Sequence, residues 1–152
     1  MTALSSLRLP LLIAMGSIAC GVLGTAAFPD EAARSIWDGV YTAAQAQRGA
    51  TEYSAHCTEC HMDTLSGDGA EVPPLSGKPF TNNWDGLDLT ELYDRIHDTM
   101  PQSNPGTLSA QQVVDLMAYI LSGNNIPAGT KELPVDTASL KAIHFDAKRP
   151  SH

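Results

Sequence analysis

Apolar residues recur at three- and four-residue spacing in three stretches of the chain, and each stretch opens on a residue able to cap a helix. In the first, Ala46, Gly49, Ala50 and Tyr53 share one face. Thr42 and Gln45 stand before it in capping-box order, which predicts a helix from there to about Cys57. The glycine on that face permits close approach of another helix. In the second, Asp88 and Glu91 open a helix whose stripe is Leu89, Leu92, Tyr93 and Ile96. It is expected to stop before Met100-Pro101, because a residue preceding proline is pushed out of the helical region. In the third, Ser109 and Gln112 form another capping box, followed by a stripe of Val113, Leu116, Met117 and Ile120 with Tyr119 and Leu121 beside it. Gly123 falls just past the expected end, in the C-cap position.

Between these stretches the pattern breaks down. Gly67 to Asp85 reads GDGAEVPPLSGKPFTNNWD, with Gly, Pro and Asn too frequent for a regular element, so a long loop is expected. A loop of that length in a compact domain suggests that it wraps something. A shorter loop runs from Pro101 to Leu108. Arg34 to Tyr41 (RSIWDGVY) lacks helical periodicity and is expected to be an extended arm on the surface. Residues 124 to 152 hold three prolines and little periodicity, which predicts a tail with at most one short turn near Ala138 to Ile143. There is no internal repeat and no strand of convincing length. The class predicted is all-α.

At 152 residues the chain is one domain's worth. The expected organisation is a leader over 1–27, an arm over 28–41, a domain over 42–123 and the tail over 124–152. The leader follows from Arg8, an uncharged apolar stretch from Leu9 to Phe28, and small residues around Thr25-Ala26-Ala27. Cleaved signal peptide, uncleaved membrane anchor and lipoprotein with lipid on Cys20 all fit that layout. All three place the folded part outside the cytoplasm, and a periplasmic location is expected. Acids outnumber bases 17 to 9, and the only charged residue in the leader is Arg8. An acidic protein repels a phosphate backbone, so nucleic acid is not expected as a partner.

The densest chemistry is at residues 57 to 61, CTECH. Two thiols three residues apart with an imidazole directly after them read as a c-type haem attachment, in which each thiol adds to a haem vinyl group and the imidazole ligates iron. A thioredoxin-like redox pair would need an alternating α/β pattern that is absent. A structural zinc would need four clustered ligands, and only Cys57, Cys60 and His61 cluster. For the sixth iron position the chain offers Met62, His97, Met100 and Met117. Met62 adjoins the proximal ligand, Met117 lies on a core stripe and His97 on a polar face. Met100 ends a helix and opens a loop stiffened by Pro101 and Pro105, and is the expected ligand.

CTECH, then Pro73-Pro74-Leu75-Ser76-Gly77, then Met100-Pro101 with Pro105-Gly106 and Leu108-Ser109, then Asp115 to Leu121 (DLMAYIL) occur in the order seen in class I c-type cytochromes. The chain resembles in particular the small bacterial cytochromes and cytochrome domains associated with quinoprotein dehydrogenases. That resemblance, over about 42 to 123, implies the class I cytochrome c fold and one covalent haem c with its iron. It implies Cys57 and Cys60 thioethers, His61 proximal and Met100 distal. It also implies that the Pro73 carbonyl accepts from the free ring nitrogen of His61, that Gly49 and Tyr53 cross a C-terminal helix carrying Tyr119, and that Trp84 touches a propionate or the haem edge. One departure is Met62, where this group usually has glycine; a packing role is expected for its side chain.

The function expected is one-electron transfer by a periplasmic carrier that makes and breaks no substrate bond. Its partners would be redox proteins, a dehydrogenase as donor and an oxidase or another cytochrome as acceptor, with membrane association possible through the N-terminus. Two other readings share the motif: an electron-accepting subunit of a dehydrogenase complex, docked through the arm and tail, and a sensor or enzyme with an open iron position.

Overall fold

The computed structural model describes residues 33–151. The leader with Cys20, the three readings of the N-terminus and the first residues of the arm lie outside the described residues. Among the described residues no helix is long and apolar enough to cross a membrane.

The chain runs β1 (Arg34–Ser35), a 3₁₀ turn (Ile36–Asp38), α1 (Ala43–His56), α2 (Thr58–His61), α3 (Gly77–Trp84), α4 (Leu89–Thr99), α5 (Ala110–Gly123), α6 (Thr137–Lys141) and β2 (Ile143–His144). The all-α class expected from the periodicity holds. The two strands are two residues each and pair in parallel, Arg34 with Ile143 and Ser35 with His144.

The three periodic stretches became α1, α4 and α5, and their stripes form the core. Leu89, Leu92, Tyr93 and Ile96 of α4 are buried, as are Val113, Leu116, Met117 and Ile120 of α5. Helices α1 and α5 make the most extensive contact in the fold. They cross at Gly49, where a Cβ would lie only 1.8 Å from the Asp115 carbonyl oxygen. One turn on, the rings of Tyr53 and Tyr119 sit 5.0 Å apart and tilted by 46°. Aromatic pairs of this kind contribute about 0.5–1.5 kcal/mol beyond area burial. On the other side of the crossing Arg48 forms a fork on Asp115, Nε to Oδ2 at 2.8 Å and Nη2 to Oδ1 at 2.9 Å, and also reaches Glu132 at 2.9 Å. Both carboxylates raise the Arg48 pKa above its ordinary value, the Asp115 hydrogen bonds most.

The caps differ in detail from expectation. Ser109 and Gln112 make the full reciprocal box. Thr42 accepts from the Gln45 amide N–H at 3.1 Å, but the Gln45 side chain does not return the bond. It is buried and pairs both its amide groups with the backbone of Leu133, at 3.2 and 2.8 Å. Asp88 caps α4 through the Thr90 N–H rather than with Glu91. Gly123 lies inside α5, with Asn124 as cap and Asn125 in the left-handed region. Its missing side chain serves packing instead, since a Cβ there would lie 2.3 Å from Leu65 Cδ1.

Two expectations are corrected. The stretch read as loop from Gly67 to Asp85 contains α3. Gly77 turns the chain into it at φ +75°, Pro79 stands in the first turn where no N–H is needed, and Phe80 and Trp84 fall one turn apart. The arm is not laid on the surface: Ile36, Val40 and Tyr41 are buried in the core. The tail has the one short helical turn expected, α6, and is packed on the domain, with Ile126, Leu133, Leu140, Ile143 and Phe145 all buried and α6 against α4. Short segments with scattered apolar residues show no period, so only the surfaces they meet reveal which side is inside.

Gly49→Ala places a methyl against helix backbone that has no room to yield. Overpacking of this kind costs about 1–3 kcal/mol, occasionally more. The variant is expected to lose at least about 2 kcal/mol in chemical denaturation of the full protein, whereas Gly106→Ser, at a left-handed position with open space around it, should lose less than half of that.

Candidate cofactor site

The site begins where α1 ends. Cys57 caps α1 and opens the single turn α2, so Cys60 and His61 follow within one helical turn. The backbone of this turn is closed by bonds from the Cys60 and His61 N–H groups to the Cys57 carbonyl, at 3.2 and 2.9 Å. Cys57 is half-buried and Cys60 exposed, and both are free thiols. Burial, with the neighbouring Cys60 thiol and Glu52 adding to it, pushes the Cys57 thiol up to about 11. A redox-active dithiol needs a depressed thiol pKa, so this environment is the opposite of the thioredoxin-like alternative.

His61 is buried, and its Nδ1 lies 3.1 Å from the Pro73 carbonyl oxygen. Burial lowers the pKa of its imidazole, with the Pro73 contact acting the other way. A neutral ring whose Nδ1–H is held by a carbonyl leaves Nε2 free as a ligand. The loop that brings Pro73 there is folded by its own polar groups. Asp68 accepts from the N–H groups of Ala70 and Val72 at 2.9 and 2.8 Å, and those bonds hold its carboxyl below the usual range. Gly67 takes φ +64° with the Val72 carbonyl oxygen where a Cβ would be. Asn124, the cap of α5, donates to the Leu75 carbonyl at 2.9 Å and accepts from the Gly77 N–H at 2.9 Å. Asp68 and Asn124 were not singled out from sequence. The Asp68-Gly69 turn pair was a usable signal for the first, and nothing local pointed to the second.

A cavity of about 660 Å³ opens between these elements. Cys57, Cys60, His61, Pro73, Trp84 and Met100 all line it, so the chain brings together all six residues that the sequence singled out. The rest of the wall is mostly apolar, from Leu75, Phe80, Leu92, Ile96, Leu116 and Ile120. Its volume is within the range of roughly 300–1,000 Å³ usual for cofactor sites. Arg95 is the one Lys or Arg among the described lining residues. The other three residues considered for an iron ligand do not line it. Met62 points to solvent, Met117 is fully buried in the core, and His97 stacks on Tyr93 and bonds Asp98 at 2.7 Å.

The donor set fits haem c: two thiols for the vinyl groups, an imidazole with one nitrogen already fixed, a thioether, an apolar enclosure, and a guanidinium for a group that carries carboxylates. A helical core built on α1, α4 and α5 with such a site defines a c-type cytochrome domain. Residues 44–120 match the model of the family described as cytochrome C oxidase, cbb3-type, subunit III, and the chain belongs to this family of c-type cytochrome domains. It therefore binds covalent haem c with its iron and works in electron transfer. No curated protein matches the chain. Among solved structures it is similar to the sulfane dehydrogenase SoxCD from Paracoccus pantotrophus, at 24% identity and a TM-score of 0.44 over 69% of this chain. It spans 59% of the length of that chain.

Met62 departs from its expected packing role. It is 39% exposed, and its backbone lies at φ 60°, ψ 158°, a region populated almost only by glycine and worth about 1–3 kcal/mol of strain for other residues. What holds it there is the backbone: its N–H bonds the Thr58 carbonyl at 3.0 Å and its carbonyl accepts from the Tyr53 hydroxyl at 2.7 Å. Met62→Gly is expected to stabilise the protein by about 1 kcal/mol, after the larger unfolded-state freedom of glycine is subtracted. Met62→Ala should give no gain, because the Cβ causes the strain. Thermal melts of both variants check this, and equal melting temperatures would point to the side chain instead.

Proposed function

We propose that the chain is an exported one-electron carrier in which Cys57 and Cys60 would hold the haem by thioethers and His61 and Met100 would both ligate its iron. Bound there, haem supplies an iron that alternates between Fe(III) and Fe(II). The observation that carries this reading is the joint lining of one cavity by Cys57, Cys60, His61 and Met100, with Met100 brought from the far end of α4. With both axial positions taken by side chains, no position is left for a substrate, so the protein makes and breaks no bond of its own. The Pro73 carbonyl fixes the orientation of the His61 ring and keeps its other nitrogen toward the cavity. Apolar side chains exclude water, and a His/Met pair gives a higher potential than two nitrogen ligands. Trp84, half-buried beside Phe80, covers part of the haem.

The leader layout of residues 1–27 supports a periplasmic location. The acid excess, 17 to 9, favours redox partners with basic docking patches, whose association weakens with salt. A carrier and an electron-accepting subunit of a dehydrogenase complex share this same site, and sedimentation at native concentration separates them. Arm and tail pack their apolar side chains into the domain, and the tail keeps Val135 on the surface.

The ligand assignment is tested by Met100→Ala and Met100→His. Both are expected to abolish the far-red absorption band that marks methionine on ferric haem. The alanine variant should bind carbon monoxide rapidly when reduced, and the histidine variant should have a lower midpoint potential. Met117→Leu should keep the band. A band that survives Met100→Ala would overturn the assignment.

A further inference from the structure

The family match spans 44–120, and the arm and tail flank it on both sides. Within the structure these flanks are one clasp. Beyond the β1–β2 pairing, the Gly129 N–H bonds the Tyr41 carbonyl at 2.6 Å, and the Tyr41 hydroxyl bonds the Ile126 carbonyl at 2.6 Å. The two backbones touch at Gly39 and Gly129, where a Cβ on Gly129 would lie 2.0 Å from the Gly39 carbonyl oxygen. The Trp37 indole N–H donates to the Asp146 carbonyl at 2.8 Å, next to Phe145.

Phe145 is where the clasp meets the cavity wall. Its ring is 1% exposed and stands edge-on to Phe80 at 5.9 Å and 76°, and Phe80 in turn lies 6.1 Å from Trp84. Phe80 and Trp84 line the cavity and Phe145 does not; it backs Phe80, which in turn packs on Trp84. Its backbone grips the turn that follows α3: its N–H bonds the Leu87 carbonyl at 2.8 Å and its carbonyl accepts from Gly86 at 2.9 Å. Ala147 adds a bond to Asp85 at 2.8 Å. Helix α3 has no side-chain cap at Ser76 and no extensive contact with another helix. Asn124 ties its first residue, and this turn with the aromatic stack fixes its other end and inner face.

We infer that Phe145, held by the clasp of arm and tail, is a positioning residue for the redox centre: it presses Phe80 and Trp84 onto the haem and keeps that side of the cavity dry. Ferric haem carries one more positive charge than ferrous haem, so water entering the pocket favours the oxidised form and lowers the midpoint potential. The inference rests on haem lying in this cavity, as proposed above.

The test compares Phe145→Ala with Leu133→Ala in the full haem-loaded protein. Leu133 is equally buried in the tail but sits by Gln45, about 18 Å along α1 from Cys57. Both variants should lose stability. Phe145→Ala alone should lower the midpoint, read as a roughly threefold or larger rise in the ferric-to-ferrous ratio at fixed poise, where tenfold corresponds to about 59 mV for one electron. An unchanged midpoint in Phe145→Ala, or an equal shift in Leu133→Ala, would overturn the inference. Should Phe145→Ala fail to fold, Trp37→Phe decides. It removes the hydrogen bond to Asp146 and part of the indole's packing in the clasp while leaving every cavity-lining residue in place, and a smaller shift in the same direction supports the inference while none overturns it. The far-red band of the parent protein reports Met100 ligation separately, so its absence would sink the axial assignment and leave the midpoint comparison standing.

Discussion

The close crossing of α1 and α5 at Gly49 fixes the geometry on which everything else depends. Because residue 49 has no side chain, the two helices meet backbone to backbone, and the Asp115 carbonyl oxygen occupies the space a Cβ would take. That contact sets where α1 ends, and α1 ends at Cys57. The thiols and imidazole of the next turn are thereby delivered to one side of α5, where Leu116 and Ile120 already form an apolar floor. Tyr53 couples the two functions of the crossing. It packs on Tyr119 and also bonds the Met62 carbonyl, so the helix contact and the attachment turn share one side chain.

Polar groups inside the fold serve the loops more than the helices. Asn124, Gln45 and the Arg48–Asp115–Glu132 group each tie an irregular segment to a helix, Asp68 closes a turn within its own loop, and no buried side-chain donor or acceptor is left without a partner among the described residues. An unpaired buried polar group costs about 1–3 kcal/mol, so each of these bonds also dictates where its loop can lie. The consequence reaches the iron site: the Pro73 carbonyl meets His61 because Asp68 and Asn124 hold the two ends of the intervening loop.

Cavity walls come from two sources. Both lie in the part of the chain that matches the family, and one of them comes from α2, α4 and α5. The other, Phe80 and Trp84 of α3, leans on Phe145 from the tail. A redox centre needs little motion and a dry surrounding, and a short helix with no cap supplies neither by itself. Arm and tail supply that support through Phe145.

From sequence alone, the three amphipathic helices, their starts, the crossing at Gly49 and the haem attachment at CTECH were all legible. Each is a local pattern: a 3.6-residue period, a capping pair, a spacing of thiols and imidazole. Pro73, Trp84 and Met100, which line the cavity with the attachment motif, were singled out through resemblance to a known motif order; the rest of the wall was not. Tertiary structure alone decided that Gln45 abandons its capping partner for Leu133, that Gly123 yields space to Leu65, that the stretch around Phe80 is helical, and that arm and tail are core. In these cases the deciding partner lies tens of residues away in sequence, and a side chain's own neighbours carry no trace of it. Met62 shows the same limit at one residue: its place after His61 marked it as unusual, but only the backbone angles show that a positive φ, and not a packing contact, is what sets it apart.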